Sequence, residues 1–574
     1  INSGPRYTTS SSAEAMLGRV FRRGVSTVSP PLMGMMQDHP LLISSIIEYA
    51  EKTHGDAEIV SRTIENPEKF HRYTYKDVSL RSKKLANALN KLGVGVGDRV
   101  STIAWNGYRH LEIYYGVSGK GSVLHTINPR LQPEQLVYVV NHAENKVMFV
   151  DLTFFPAAEK LLPHLKTVKA VVVMTDNHHM PPTTDPRFMC YEDLIAGEKT
   201  EFAWPKLDER AASSICYTSG TTGLPKGVVY SHRSTILHAL SLCTVNSYSI
   251  GCKDVCLPVV PMFHVNAWGL PYAAPMSGCK LVLPGAALDG PRLHAQLYQE
   301  KVNTTAGVPL IYGGLLQHML SVGDSLPDLK TILVGGSACP SSQIDAWTKL
   351  GINCLHAWGM TEMSPLGVIN YHSPPRAGET DADRRQKSYL QGRELFGVEL
   401  KIVDDNNKDL PRDGRTQGHL LVRGPWIASG YFRSDKSIVD EGGWMDTGDM
   451  ATLTSDGYMK IVDRAKDLVK SGGEWISSID LEDTATSHPS VGMAAVIGIP
   501  HPKWDERPLL IVVEKQGKKV VKQELLDYLA SKLTKSLYVP DDVVVVESMP
   551  VGGTGKIVKR DLKDKYKDHY TKGA

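Results

Sequence analysis

Residues 217–227 combine hydroxyls, glycines and one lysine within eleven positions. Glycines let the backbone approach a ligand closely, and exposed N–H groups, hydroxyls and a lysine can bind phosphate oxygens. A Walker A loop would have glycine in place of Pro225, and Ser or Thr in place of Gly227. The segment therefore predicts a polyphosphate loop of another kind, with a Gly/Thr-rich surface turn as the alternative. Its candidate ligands are Thr218, Ser219, Gly220, Thr221, Thr222, Gly223 and Lys226.

Residues 356–362 read His-Ala-Trp-Gly-Met-Thr-Glu and follow a strand-like apolar run. An aromatic face can stack on a purine, and a carboxylate combined with phosphate oxygens is a usual way to hold Mg²⁺. We therefore interpret Glu362 and Thr218 as candidate metal ligands. On its own, an ordinary loop is the alternative for this segment. The candidate nucleotide contacts are His356, Ala357, Trp358, Gly359 and Thr361.

Three further segments carry charge among glycines. The sequence Trp-Met-Asp-Thr-Gly-Asp ends at Asp449, a charged run covers residues 463–475, and a glycine loop at residues 552–555 presents Lys556. A flexible loop that delivers one lysine suits a charge that enters and leaves an active site. Solvated surface is the alternative for the charged run and for the lysine when each is taken alone.

In this order over residues 40–565, the five segments resemble the signature of the adenylate-forming superfamily: acyl-CoA synthetases, luciferases and peptide-synthetase adenylation domains. Trp358 stands where the family motif has tyrosine, and it keeps an aromatic face. Residues 105–112, 125–131 and 261–268 are similar to the medium- and long-chain fatty acyl-CoA synthetases, especially their bacterial-type members.

The resemblance implies a role for each segment. Asp449 and Arg464 would bind the ribose, and Lys466 would be the pivot of a small C-terminal domain. Lys556 would act on the α-phosphate side, with Lys226 on the side of the β- and γ-phosphates. The other candidate binding residues are His264, Val265 and Trp268 at the junction of nucleotide and acyl sites, Gly336, Ser337 and Ala338 after a strand, and Lys470 and Trp475 near the pivot.

The implied reaction is the ATP-dependent ligation of a medium- to long-chain fatty acid to coenzyme A through an acyl adenylate. ATP, Mg²⁺ and coenzyme A are the expected ligands, and the resemblance implies a homodimer. A luciferase-like oxidoreductase that uses oxygen instead of coenzyme A is one alternative, and a different carboxylate substrate is another. We interpret Trp268 either as a gate of the acyl tunnel or as a core aromatic.

Helical segments alternate with short β-rich runs, which predicts doubly wound α/β layers. A helix is expected at residues 80–92, and strands are expected at residues 147–150, 170–174, 214–217 and 331–334. The resemblance adds a β-barrel-like part to the large domain, and a small mobile α+β domain. The expected boundaries are residues 1–35 for a targeting or disordered segment, 36–462 for the large N-terminal domain, 463–467 for the hinge and 468–574 for the C-terminal lid domain.

Composition is ordinary for a globular protein: of 574 residues, 42% are hydrophobic and 22% charged, and the net charge of +2 does not point to nucleic acid. The eight cysteines form no CxxC pair and are expected to be reduced. No apolar run is long enough to span a bilayer. The first 35 residues hold four arginines and one acid, Glu14, among many Ser and Thr. This composition predicts a transit peptide and a mitochondrial matrix location, with a cytoplasmic protein as the alternative.

Overall fold

A computed structural model describes residues 32–218, 224–371, 373–533, 535–552 and 556–571. The α-helices of this part are α1 (Ile43–Thr53), α2 (Tyr75–Lys91), α3 (Tyr108–Gly119), α4 (Pro133–His142), α5 (Phe155–Leu161), α6 (Tyr191–Ala196), α7 (His232–Leu242), α8 (Leu270–Ser277), α9 (Gly290–Gln299), α10 (Pro309–Val322), α11 (Ser341–Lys349), α12 (Asp381–Ser388), α13 (Ser478–Thr486), α14 (Lys522–Lys532) and α15 (Lys559–Tyr566). Short 3₁₀ turns lie at Leu152–Phe154, Leu162–His164, Val265–Gly269, Thr361–Met363 and Ser536–Tyr538.

The strands are β1 (Glu58–Arg62), β2 (Phe70–Thr74), β3 (Arg99–Ile103), β4 (Val123–Thr126), β5 (Asn145–Val150), β6 (Ala170–Val173), β7 (Phe188–Cys190), β8 (Ala212–Tyr217), β9 (Gly227–Ser231), β10 (Val255–Pro258), β11 (Lys280–Leu283), β12 (Thr304–Gly307), β13 (Thr331–Val334), β14 (Asn353–Gly359), β15 (Leu366–Ile369), β16 (Arg393–Glu394), β17 (Glu399–Val403), β18 (Gly418–Arg423), β19 (Met445–Leu453), β20 (Met459–Arg464), β21 (Val469–Ser471), β22 (Glu474–Ile476), β23 (Val491–His501), β24 (Asp505–Glu514) and β25 (Asp542–Val546).

Two large sheets form the N-terminal domain. One has seven strands in the order β7-β6-β5-β3-β4-β8-β9, all paired in parallel except the β8–β9 hairpin. The other has nine strands in the order β16-β15-β14-β13-β12-β10-β11-β1-β2, with a parallel centre and antiparallel ends. Their strands are short runs of buried aliphatic residues, as expected when helices cover both faces of a parallel sheet. The prediction of doubly wound layers is therefore confirmed.

The remaining strands form two smaller sheets. Strands β17 to β20 make an antiparallel sheet of four, which is open within the described residues, where the resemblance implied a barrel-like part. Strands β21 to β25 make the sheet of a small C-terminal domain with its own buried core, to which helices α13 and α14 contribute. The prediction of a large α/β domain followed by a small α+β domain is confirmed.

Local chemistry explains where the first predicted helix begins. The structure starts α2 at Tyr75, five residues before the predicted residue 80, because Thr74 and Asp77 form a capping box there. The Thr74 hydroxyl accepts the N–H of Asp77, and the Asp77 carboxylate accepts the N–H of Thr74 at 2.9 Å. The apolar period marked the centre of this helix, and the polar cap sets its start.

The described residues from 40 to 571 belong to one compact unit, and residues 32–39, which lie outside it, have no regular secondary structure and are exposed. All eight cysteines are free thiols, as expected, and Cys252 is the exposed one among them. No helix in the described part of the chain is long and apolar enough to cross a membrane.

Candidate functional site

The β8–β9 hairpin holds the two ends of the predicted phosphate loop together. Strand β8 ends at Tyr217 and β9 begins at Gly227. Between them, the Thr218 N–H donates to the Lys226 carbonyl at 2.9 Å, and the Lys226 N–H donates to the Thr218 hydroxyl at 3.3 Å. The predicted ligands Ser219, Gly220, Thr221, Thr222 and Gly223 lie outside the described residues. The loop thus starts at the carboxyl end of a strand, where sheets of this kind bind ligands.

Glu362 lies near this hairpin in the turn Thr361–Met363 and is largely buried. The Tyr431 hydroxyl donates to Glu362 Oε1 at 2.7 Å, and Lys226 Nζ lies 4.8 Å from the centre of the Tyr431 ring. Among the described residues, no group donates a hydrogen bond to the second carboxylate oxygen of Glu362. One free carboxylate oxygen fits Mg²⁺, which usually combines one or two carboxylates with substrate phosphates and water.

Strand β14 carries most of the second predicted segment, so His356, Ala357, Trp358 and Gly359 lie on a strand and not in a loop. His356 is buried, and its burial lowers its pKa to about 4. Its Nε2 accepts the Cys339 N–H at 3.3 Å, and its Nδ1 lies 3.2 Å from the carbonyl of Tyr389. The neutral imidazole therefore supports the loop that contains Gly336, Ser337 and Ala338.

That loop turns through Gly336, whose φ of +83° is accessible to glycine at little cost. The loop follows strand β13, and Ser337 and Ala338 expose their side chains to solvent. Both observations suit a backbone that approaches a ligand, as the sequence predicts for these residues.

Asp449 is the centre of the predicted ribose site and is buried. It lies on β19 opposite Arg464 on β20, and Arg464 Nε contacts its Oδ1 at 2.8 Å. Trp358 Nε1 donates to the other carboxylate oxygen at 2.9 Å. Desolvation raises the pKa of Asp449, while Arg464 and the Trp358 hydrogen bond oppose that rise. The structure thus brings the candidate purine and ribose residues together.

Lys556 of the small domain enters the same site. Lys556 is exposed to solvent in this structure, yet desolvation by neighbouring atoms and then the Arg464 guanidinium lower its pKa. The carboxylates of Asp449 and Glu362 act in the opposite direction. His264 is also within electrostatic range, since burial and then Lys556 lower the pKa of His264 to about 3. Residues almost 300 positions apart therefore share one electrostatic environment.

A left-handed turn follows His264. Val265, Asn266, Ala267 and Trp268 have φ angles between 43° and 54°, a region that costs about 1–2 kcal/mol for each residue with a Cβ. The Asn266 amide holds the turn: its Nδ2 donates to the Ser214 hydroxyl at 2.7 Å, and its Oδ1 accepts from Cys216 Sγ at 3.3 Å. The turn is thereby attached to β8, the strand that leads into the phosphate loop.

Trp268 is the last of these four residues and is 7% exposed. Its ring packs beside the loop at residues 336–338, so that a Cβ added to Gly335 would lie 3.1 Å from the indole. This burial is what the core interpretation expects. Binding of fatty acid to Trp268→Ala in the absence of ATP would test the gate interpretation.

Three predicted residues lie apart from this cluster. Lys466 is exposed, and its carbonyl accepts from Lys563 Nζ at 3.2 Å. Lys470 and Trp475 face each other across the β21–β22 hairpin, with the Lys470 ammonium 5.8 Å from the Trp475 ring. Their role in binding stays a prediction.

Sequence reasoning missed Tyr431 and Asn266. Tyr431 orients the Glu362 carboxylate from 69 positions away in the chain. No spacing rule connects these two residues. Asn266 carried a weak signal, because asparagine tolerates the left-handed region better than most residues do.

The fold has a large α/β domain followed by a small α+β domain, and the candidate site lies where Lys556 of the small domain comes into electrostatic range of residues of the large one. The AMP-binding enzyme family matches residues 47–432, and the AMP-binding enzyme C-terminal domain matches residues 480–556. The chain belongs to this family, which confirms the resemblance. Members that are CoA ligases use ATP, Mg²⁺ and coenzyme A, as predicted.

Curated relatives extend over nearly the whole chain. A 3-methylmercaptopropionyl-CoA ligase of Ruegeria lacuscaerulensis is 48% identical over 541 residues, which are 94% of this chain and 100% of the relative. A medium-chain-fatty-acid–CoA ligase of Ectopseudomonas oleovorans is 48% identical over 541 residues, 94% of this chain and 98% of the relative. A long-chain-fatty-acid–CoA ligase of Thermus thermophilus is 42% identical over 538 residues, which are 93% of this chain and 97% of the relative. These relatives confirm the prediction of an AMP-forming acyl-CoA ligase.

A solved structure supports the fold. The crystal structure of an anthranilate CoA ligase in complex with anthranoyl-AMP superposes with a TM-score of 0.82, covering 93% of this chain and 100% of that chain at 24% identity. At this identity the likeness concerns the fold alone.

The predicted mitochondrial location is wrong. The relatives that are 42% to 48% identical are bacterial enzymes, and bacteria have no mitochondria. Serine, threonine and arginine content in a short segment was the basis of that prediction. Residues 1–31 of the segment lie outside the described residues.

Proposed function

We propose that this enzyme ligates medium- to long-chain fatty acids to coenzyme A. The observation that carries the proposal is the contact of Asp449 with Arg464 and Trp358, with Lys556 in electrostatic range of the Asp449 and Glu362 carboxylates. The identities of 48% and 42% to medium-chain and long-chain fatty acid ligases support the substrate class.

The roles follow from charge and position. The fatty carboxylate attacks the α-phosphorus of ATP, the bond to the bridging oxygen breaks, and pyrophosphate leaves. Lys556 would neutralise charge that develops on the α-phosphate, and the hairpin with Lys226 would hold the β- and γ-phosphates. Glu362 and Thr218 would hold Mg²⁺, which neutralises phosphate charge when bound. Asp449 and Arg464 would hold the ribose beside Trp358.

The second half-reaction uses the same site. The thiol of coenzyme A loses its proton and attacks the acyl carbonyl of the adenylate, and AMP leaves. The proposed boundaries are a large domain at residues 36–462, a hinge at residues 463–467 and a lid domain at residues 468–574. Rotation about Lys466 would exchange Lys556 for the β21–β22 hairpin with Lys470 and Trp475. We also propose a homodimer, which sedimentation equilibrium tests directly.

A second candidate substrate is a short thioether acid. A 3-methylmercaptopropionyl-CoA ligase is as similar to this chain, at 48% identity, as the medium-chain ligase is. Pocket depth decides between them, and one methylene changes selectivity by only about 1–3 kcal/mol.

One assay separates these substrates. Release of pyrophosphate and of AMP is measured with straight-chain acids from C4 to C18 and with 3-methylmercaptopropionate, each with and without coenzyme A and with and without oxygen. We expect the highest kcat/KM for an acid of medium to long chain, and AMP release that requires coenzyme A. A maximum at the thioether acid would replace the proposed substrate. Turnover that requires oxygen and not coenzyme A would indicate a luciferase-like enzyme.

A further inference from the structure

The N-terminus of helix α13 is attached to strand β20, which precedes the small domain. The buried carboxylate of Asp463 accepts hydrogen bonds from the N–H of Ser478 at 2.7 Å and from its hydroxyl at 2.5 Å. Lys460, on the same strand, forms an ion pair with Asp480 at 2.8 Å. The first turn of α13 is therefore held by polar groups at the edge of the large domain.

The next turn of α13 contacts helix α11 of the large domain. Asp483 Oδ1 accepts hydrogen bonds from the Ser341 N–H at 2.8 Å and from its hydroxyl at 3.1 Å. Pro340 stands at the N-cap of α11 and offers no side-chain acceptor. The first N–H of α11 is thus satisfied by the small domain, and a carboxylate near a helix N-terminus is electrostatically favourable.

These contacts connect two parts of the candidate site. Helix α11 begins shortly after the nucleotide loop at residues 336–338. On the other side of α13, Lys559 Nζ donates to the Ser478 hydroxyl and pairs with Glu482 at 2.7 Å. Lys559 follows Lys556 by three positions and begins helix α15. Helix α13 therefore lies between the nucleotide loop and the segment that delivers the lysine.

We propose that α13 is a clamp that keeps the small domain in the orientation for adenylation, and that Asp483 is its positioning residue. The clamp consists of Ser478, Asp480 and Asp483 on α13 with Asp463, Lys460 and Ser341. It rests on the proposed function, since it assigns these contacts to one of two half-reactions.

The chemistry of the clamp suits a reversible contact. It is built from hydrogen bonds and one half-exposed ion pair, and such interactions contribute little each and can be exchanged for water. Ile479 on the same helix adds a half-buried apolar contact with the large-domain core, and a wholly apolar interface of the same extent would be harder to open. The rotation proposed for the coenzyme A step would separate α13 from α11, so the clamp would stabilise only the conformation in which Lys556 is in place.

The kinetic test uses Asp483→Ala, with Asp483→Asn as the conservative variant. We expect the alanine variant to slow acid-dependent pyrophosphate release about tenfold, as befits the loss of hydrogen bonds to a charged group. Formation of thioester from a supplied acyl adenylate should be unchanged or faster. Asparagine keeps an oxygen that can accept from Ser341, so it should restore most of the adenylation rate. An equal loss in both half-reactions would contradict the clamp.

A second readout needs no turnover. The hinge offers trypsin two exposed basic residues, Arg464 and Lys466. Cleavage there in Asp483→Ala should be about tenfold faster than in the wild type, because local opening exposes the segment. Asp527→Ala changes an exposed carboxylate of α14 in the same domain and should leave cleavage unchanged.

The pyrophosphate-release assay and the trypsin experiment test the proposed function and the clamp independently of each other. A wild type that releases no pyrophosphate with any acid overturns the proposed function, and hinge cleavage then still decides on the clamp. Cleavage at the same rate in wild type and Asp483→Ala overturns the clamp, whatever the substrate is.

Discussion

Lys556 owes its environment to residues from three distant parts of the chain. Desolvation and Arg464 lower its pKa, whereas Asp449 and Glu362 raise it, and the net shift is downward. A lysine so placed loses its charge at a lower pH than a solvated lysine does. A positive charge on Lys556 would stabilise the phosphates while pyrophosphate leaves. The rate of adenylation and its pH dependence should therefore report on this residue.

We predict that Lys556→Ala nearly abolishes adenylation and spares thioester formation from a preformed acyl adenylate. The reason is that the ammonium stabilises phosphate charge only in the first half-reaction. Pyrophosphate release and acyl-CoA formation are measured separately on the same preparation. Equal losses in both would argue against a lysine that serves one half-reaction.

The pH profile of adenylation should fall on the alkaline side at a pH below the ordinary lysine pKa of about 10.4. The protonated lysine is the active form, so activity is lost as pH rises through its lowered pKa. Lys556→Arg should move this decline to higher pH, because arginine stays charged. A decline at the same pH in wild type and Lys556→Arg would assign it to another group.

Tyr431 orients Glu362 through a hydrogen bond of 2.7 Å. Tyr431→Phe removes only the hydroxyl, and a hydrogen bond to a charged group contributes about 1.5–3 kcal/mol. We expect the apparent affinity for Mg²⁺ in adenylation to fall about tenfold while the melting temperature changes little. Tyr538→Phe is a matched control, because it removes a tyrosine hydroxyl that donates a hydrogen bond to the Glu474 carboxylate in the small domain. Unchanged dependence on Mg²⁺ would exclude this role for Tyr431.

At the scale of elements, the left-handed turn Val265–Gly269 is the clearest departure from local preference. Four successive residues with a Cβ adopt positive φ, and the buried amide of Asn266 connects them to β8 and β4. Strain of this kind persists only where the surrounding structure determines it, and it concentrates at functional sites. The turn places Trp268 against Gly335, beside the loop at residues 336–338.

We predict that Asn266→Ala destabilises the protein by about 1–3 kcal/mol, since it leaves buried partners such as the Ser214 hydroxyl unsatisfied. Asn266→Gly removes the same hydrogen bonds but tolerates positive φ, so it should be about 1 kcal/mol more stable than the alanine variant. The free energies of unfolding of both variants, measured by urea denaturation, separate the contribution of the hydrogen bonds from the cost of positive φ. Wild-type stability in both variants would show that the amide does not hold the turn.

At the scale of the whole molecule, the small domain meets the large one through polar contacts around an exposed hinge. Lys466 lies in this hinge, with its side chain in solvent and its carbonyl bonded to Lys563. Ile479 of α13 also packs against the large-domain core, but the two domains have separate buried cores, and such an interface is compatible with a second orientation. The two half-reactions need different groups over one site, and rotation supplies them in turn.

We predict that Lys466→Pro leaves adenylation largely intact and slows the coenzyme A step. Proline fixes φ near −65° and removes a backbone donor, so the pivot loses its freedom. Lys466→Ala keeps that freedom and is the control. The rates of adenylation and of thioester formation are measured in both variants. Unchanged overall turnover in the proline variant would place the pivot elsewhere.

The sequence by itself determined the class of protein. The glycine, hydroxyl and lysine spacing of residues 217–227 and the Gly-Lys segment at Lys556 require particular residue types, because backbone approach and charge depend on them. The periods of apolar residues likewise indicated α/β layers, since burial on both faces makes strands short and aliphatic. These are local properties and are visible in a linear chain.

Only the tertiary structure decided which groups work together. The Tyr431–Glu362 bond, the Asn266 amide under the left-handed turn and the contact of Asp483 with Ser341 each join residues that no spacing rule connects. Strand β14 also takes in residues 356–359, for which an ordinary loop was the alternative, because they pair with β13 and β15. Such contacts arise when sheets and domains pack, and packing brings together side chains that the order of the sequence keeps apart.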